Sequence, residues 1–276
     1  MMLTKWIRSG LGILRDRDRS VLITPPAIGL GNFLYLWLQA DIRKRRGEYC
    51  KVISTPDMEG WLTHLPTMRD LVIEPQAVGF MQHRERDGFQ NYGSEFRRKD
   101  LDAFIQERIL AIPHIKTGIE EHHAPRTLAL NIRRGDFYSV PEHRGNYSFD
   151  VVEYIRTALL TAPVAEREFD RIEVVSDDPA WCSLKLAWLE SRTDEVEWVG
   201  LESPLQHFTR LSSANCLVLT NSTFGYWAGY TATSFFSGRN AVIAPWFHAR
   251  NILGGQAFQL DPQWTVVDSI PGGWDG

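Results

Sequence analysis

The chain has 276 residues, 43% of them hydrophobic, with 30 basic and 34 acidic side chains and a net charge of −4. That is enough for one large or two small cored domains, and the charge balance excludes the basic footprint of a nucleic-acid-binding protein. Cys50, Cys182 and Cys216 are too widely spaced for a paired-cysteine metal or redox site, and no run approaches the ~18 apolar residues of a membrane span or forms a signal segment, which predicts a cytoplasmic protein.

Residues 1–20 mix Trp6, Ile7, Leu11, Ile13 and Leu14 with five basic side chains and read as an N-terminal extension. The alternative is a peripheral contact with the inner face of a membrane, which Gly10 and Gly12 weaken. Asp16-Arg17-Asp18 has the spacing of a metal-binding Asp-x-Asp but precedes the first expected strand, at residues 21–24. A turn, Gly29-Leu30-Gly31-Asn32, leads into a helix over 32–46 whose closing Arg43-Lys44-Arg45-Arg46 suits the negative end of the helix dipole. The turn lacks the full spacing of a dinucleotide fingerprint, so it is read as bringing backbone close to a ligand rather than as an NAD site. A second strand follows at 51–54.

The polar stretch Glu120-Glu121-His122-His123-Ala124-Pro125 marks a domain boundary, and its two histidines lack the second cluster that a metal site needs. Beyond it, strands at 128–132, 171–175, 196–199, 216–220 and 242–244 alternate with helices at 149–160, 179–190, 204–213 and 224–234, the pattern of a parallel sheet with crossover helices. The expected organisation is an extension over 1–20, a Rossmann-like domain over 21–125 and a second over 126–276.

Three polar motifs fall at the ends of those strands, where a doubly wound sheet places its ligand. Asn131-Ile132-Arg133-Arg134-Gly135-Asp136-Phe137-Tyr138 delivers two guanidiniums into a glycine turn, which reads as a diphosphate clamp or, equally, as arginines paired structurally with Asp136. Strand alternation sends Arg133 and Arg134 to opposite faces and favours Arg133 for the ligand. Asp177 and Asp178 precede Pro179, and Asn221-Ser222-Thr223 opens a helix; both fit an anion or nucleotide site and both fit ordinary helix caps.

These stretches resemble, in order, motifs of the family 11 α-1,2-fucosyltransferases. The arginine motif is similar to that family's His-x-Arg-Arg-Gly-Asp-Tyr, and Ile28-Gly29-Leu30-Gly31-Asn32 to its Gly-Gly-Leu-Gly-Asn-Gln. Ser176-Asp177-Asp178-Pro179-Ala180-Trp181-Cys182 is similar to Ser-Asp-Asp-x-x-Trp-Cys, and Thr220-Asn221-Ser222-Thr223-Phe224-Gly225-Tyr226-Trp227 to Ser-Asn-Ser-Thr-Phe-Ser-Trp-Trp. Asn131 stands in place of His, Phe33 in place of Gln, and Gly225-Tyr226 in place of Ser-Trp, which makes the chain a divergent member.

The resemblance implies an α/β fold of GT-B type, two Rossmann-like doubly wound domains facing a cleft, and inverting, metal-independent transfer of L-fucose from GDP-fucose to a galactose-type hydroxyl of a glycan, α-1,2-linked. In that reading Arg133 and Arg134 hold the diphosphate with Asn221, Ser222 and Thr223. Asp177 or Asp178 accepts hydrogen bonds from guanine or ribose, Gly29 and Gly31 admit the sugar, and Asn32 binds a reacting hydroxyl. Asp136 acts as base or orients Arg133, with Glu142, His143 and Arg144 in the same loop. The setting implied is assembly of a surface polysaccharide. Alternatives are another GDP-sugar or linkage, or a nucleotide-sugar-binding protein without turnover.

Overall fold

The computed structural model describes residues 16–86, 88–200 and 202–275. The chain divides between Ile112 and Pro113 into two compact units. Residues 1–15, and with them most of the expected extension and its membrane-contact reading, lie outside the described residues.

The first unit runs β1 (Asp16–Leu22), α1 (Leu30–Arg45), β2 (Tyr49–Ile53), α2 (Pro56–His64), β3 (Val72–Ile73), β4 (Gln82–Glu85) and α3 (Arg98–Phe104), with its four strands parallel in the order β3-β2-β1-β4. Sequence reading placed the first strand at Val21 and left Asp16-Arg17-Asp18 ahead of it; both expectations are corrected, because β1 starts at Asp16. Backbone pairing carries this early portion, with Asp16 opposite Gln82 and a register shift before Ser20, and charged residues give no apolar alternation to announce it. Helix α1 buries almost its whole first three turns, from Leu30 to Ile42. That burial takes Asp41 inside, where Arg45 and Arg108 hold its carboxylate at 2.6 and 2.8 Å.

The second unit contains α4 (Pro113–His122), β5 (Thr127–Ile132), α5 (Gly135–Ser139), α6 (Pro141–Tyr147), α7 (Val151–Ala158), α8 (Ala162–Ala165), β6 (Arg171–Ser176), α9 (Pro179–Lys185), β7 (Glu195–Val199), α10 (Pro204–Ser212), β8 (Cys216–Leu219), α11 (Thr223–Phe235), β9 (Ala241–Pro245) and β10 (Thr265–Val267). Helix α4, whose last three residues begin the polar stretch, lies in this unit. Its Gly118 lies against Thr209 of α10, and His123 just beyond it bonds the Ser213 carbonyl through Nδ1 at 3.0 Å.

The six strands are all parallel in the order β10-β9-β8-β5-β6-β7. Counted from β5, this is the 3-2-1-4-5-6 order of a dinucleotide-binding sheet, whose direction of winding reverses between β5 and β8. Every residue of β5 is buried, as a central strand covered on both faces requires. Leu128, Leu130 and Ile132 pack with Ile172 and Val174 of β6 and with Tyr154 and Ile155 of α7. No helix among the described residues is long and apolar enough to cross a membrane.

Candidate active site

The carboxyl ends of β5 and β8 meet at the reversal point, and one hydroxyl joins them. Thr220 donates its N–H and its Oγ1 to the Asn131 carbonyl, each at 3.1 Å, while its Oγ1 accepts the Arg133 N–H at 2.9 Å. From the covering layer, the Tyr154 hydroxyl donates to the Leu219 carbonyl at 2.5 Å. The backbone on which the arginines sit is therefore tied at both strand ends.

The two arginines part company at once. Strand β5 stops at Ile132, so alternation does not separate them; the turn does, with Arg134 at φ −131° and ψ −69° before α5 begins. Arg133 donates from Nη1 to Asp177 Oδ2 at 2.6 Å and from Nη2 to Asp136 Oδ1, and remains 35% exposed. Arg134 is 14% exposed: its guanidinium lies 3.7 Å from the centre of the Trp181 ring and 4.0 Å from that of Tyr138, with Nε 3.4 Å from Asp178 Oδ2. Arg133 is a positioned, accessible cation, and Arg134 is a packed one.

Asp177 is shared, because its second oxygen accepts the Arg134 N–H at 2.8 Å. Gly135 makes this possible, since a Cβ there would overlap Asp177 Oδ2 and lie 3.1 Å from Cγ. Asp178 caps α9 by accepting the Trp181 N–H at 3.2 Å, with Pro179 at the first helical position. The capping reading of Asp178 is thus realised, although its side chain keeps 38% exposure and carboxylate lone pairs to spare.

Across the reversal point, Ser222 opens α11 in extended conformation and makes no side-chain cap bond, and Thr223 is the first helical residue. The amino end of this 13-residue helix is the ordinary setting for an anion. The Asn221 amide donates to the carbonyls of Tyr147 and His248, both at 2.8 Å, and ties two loops together. Behind it Asn131, 6% exposed, presents an Oδ1 without a partner to the flank of α11, where a Cβ on Gly225 would overlap it.

His248 lies beside Tyr226, whose hydroxyl is 3.2 Å from its Nδ1, and burial pulls the imidazole down to about 4 from the ordinary 6.5. The folded state therefore resists a proton that the unfolded chain accepts. Stability is full above about pH 6.5 and falls as pH drops toward about 4, by an amount on the order of 3 kcal/mol. Urea denaturation at about pH 7 and about pH 4.5 measures the loss, and His248→Gln should flatten it; an unchanged slope in that variant would assign acid sensitivity to other groups.

Sequence reading missed the Trp181–Arg134–Tyr138 stack and the pairing of Phe137 with Tyr147, whose rings are parallel at 4.3 Å. Trp181 stands three residues after the cap, one turn into α9, and its match to the Ser-Asp-Asp-x-x-Trp-Cys motif gave no hint of an arginine partner. In the first unit, Gly29 is the extended N-cap of α1 and Gly31 is buried in its first turn. Asn32 accepts the Gln90 amide at 2.9 Å. A Cβ at Gly29 would meet nothing within 4 Å among the described residues.

Residues 89–247 match the model of Glycosyl transferase family 11. Over 143 residues the chain is 28% identical to galactoside alpha-(1,2)-fucosyltransferase 1 of Ateles belzebuth, an alignment taking in 50% of this chain and 37% of that protein's length. Among solved structures, it is similar to POFUT1 in complex with GDP-fucose at 13% identity and a TM-score of 0.35, covering 78% of this chain and 71% of that one. It is also similar to the glycosyl transferase family 9 protein of Veillonella parvula at 10% identity and a TM-score of 0.44, covering 93% and 87%.

Proposed function

This chain belongs to glycosyl transferase family 11 and is a glycosyltransferase, and on that premise we propose that it moves L-fucose from GDP-fucose to a galactose-type hydroxyl of a glycan, with inversion, giving an α-1,2 link. The observation that carries the proposal is Arg133, an exposed guanidinium held between Asp136 and Asp177 at the point where the sheet reverses. Breaking the bond from C1 to the diphosphate leaves negative charge on the β-phosphate. A fixed cation meets that charge without reorganising, and the amino end of α11 adds its dipole.

The lone pairs of Asp177 and Asp178 not used inside the protein are assigned to guanine, whose N1–H and amino group offer two donors that uracil lacks. In the first unit, Gln90 fixes the orientation of the Asn32 amide, which is assigned to a sugar hydroxyl. Calorimetric titration tests the donor: GDP should bind more tightly than UDP by at least tenfold, because each unpaired buried acceptor costs about 1–3 kcal/mol. Equal affinities would sink the assignment. The catalytic test is transfer from GDP-fucose, against other GDP-sugars, to a lactose-type acceptor.

A permanent guanidinium charge replaces the divalent ion that many sugar-nucleotide enzymes recruit. Turnover should therefore survive EDTA unchanged. Chelation that abolishes activity, with Mg2+ restoring it, would show that Arg133 does not neutralise the diphosphate alone.

A further inference from the structure

Asp136 faces two basic side chains. Oδ1 accepts from Arg133 Nη2, and Oδ2 lies 3.3 Å from His143 Nδ1. With one oxygen taken by a guanidinium and the other facing an imidazole, this carboxylate is placed to orient its neighbours. The imidazole beside it is differently placed. Its Nδ1 is shut off from solvent and makes no aligned hydrogen bond among the described residues, so the Asp136 carboxylate is its near neighbour, while the side chain as a whole is 45% exposed. The open edge of the ring is thus the one that carries Nε2.

The remaining surroundings hold the ring in place. The Tyr147 ring meets it edge-on at 6.1 Å and is itself stacked on Phe137, the residue after Asp136. Of its chain neighbours, Glu142 stands in the first turn of α6, and Arg144 is turned away, with its Nε donating to the Tyr138 carbonyl at 2.7 Å. Asp136 is the acid that approaches the imidazole, and Arg133 is paired with the same carboxylate.

We infer that His143 is the general base that takes the proton of the acceptor hydroxyl, with Asp136 as the positioning residue that holds Nδ1–H and leaves Nε2 to react. The inference rests on the fucosyl-transfer reading above. In the step, the acceptor oxygen forms its bond to C1 as its proton passes to His143 Nε2. The bond from C1 to the β-phosphate oxygen breaks, and its electron pair leaves with GDP beside Arg133. The imidazolium then releases its proton to water. One carboxylate thereby links the cation at the leaving group to the base at the nucleophile. The His143–Asp136 approach is off the hydrogen-bond axis, as such contacts often are before substrate tightens them.

The experiment compares wild-type protein with His143→Gln and His143→Ala, using GDP-fucose and a lactose-type acceptor over a range of pH. Both variants should lose about 10² to 10⁴ in kcat while the GDP-fucose KM and the melting temperature stay put. The acid limb of the wild-type kcat profile should vanish, and added imidazole should partly restore turnover in His143→Ala. Wild-type kcat in a folded His143→Gln protein overturns the assignment of the base and leaves fucosyl transfer standing. A wild-type protein that turns over no GDP-fucose overturns the functional reading, and the base falls with it.

Discussion

Arg133→Ala should lower kcat by about 10² to 10³, the cost of removing a preorganised donor to developing charge, roughly 3–4 kcal/mol. Arg134→Ala should act mainly on stability. The two differ because the turn after β5 leaves Arg133 accessible between Asp136 and Asp177, whereas it lays Arg134 between Trp181 and Tyr138. Losing that stack forfeits two cation–π contacts, about 1–3 kcal/mol together, and uncovers the Trp181 face. Arg133→Lys keeps the charge but cannot reach both carboxylates with one planar fork, so it should recover only part of the rate. The measurements are kcat with GDP-fucose and denaturant stability for the three variants. Near-wild-type turnover in a folded Arg133→Ala protein would remove the electrostatic account, and an equal loss of kcat at both positions would show that Arg134 also reaches the donor.

Gly135→Ala should damage both stability and rate, although it adds a single methyl group. The new Cβ would fall on Asp177 Oδ2. That carboxylate cannot step aside without surrendering its 2.6 Å bond from Arg133 or its 2.8 Å bond from the Arg134 N–H. Overpacking of this kind costs about 1–3 kcal/mol, and here it also misaims the arginine. Asp177→Ser in the same chain removes the obstruction, so the double variant should regain stability while kcat stays low. A Gly135→Ala protein with wild-type stability and rate would mean that the turn shifts freely, and the rigid placement of Arg133 would have to be abandoned.

Five of the six strands of the second unit were legible in the sequence to within a residue or so, most plainly the central ones, because a strand covered on both faces is a short apolar run that little else imitates. The motif positions followed from those strand ends. What stayed hidden was held by geometry that side-chain pattern does not encode. Charged residues 16–18 enter β1 through backbone pairing, and the three-residue β10 is too short to show a period. Helix α4 joined the second unit through a glycine and a histidine contact rather than through any change of composition. The separation of the arginines was expected, but its cause was misread: a turn conformation at Arg134, not pleating, parts them. The fastening of two loop carbonyls by Asn221 was equally hidden, because it joins residues 74 and 27 positions away.

The contact of Asn131 with Gly225 restricts the order in which this site can change. Any side chain at 225 would meet the Asn131 amide, with Cγ at 3.2 Å from the new Cβ and Oδ1 nearer still. The resembled motifs carry His and Ser at these two places, so both members of the pair differ here. Their effects on stability cannot be additive, because each decides whether the other fits. A lineage passing between the two pairs must shrink 225 before it installs Asn131, or pass through a small residue at 131 on the way back. Viable neighbours of this sequence are therefore reached through some single replacements and closed to others, and the path depends on a buried amide behind the helix end.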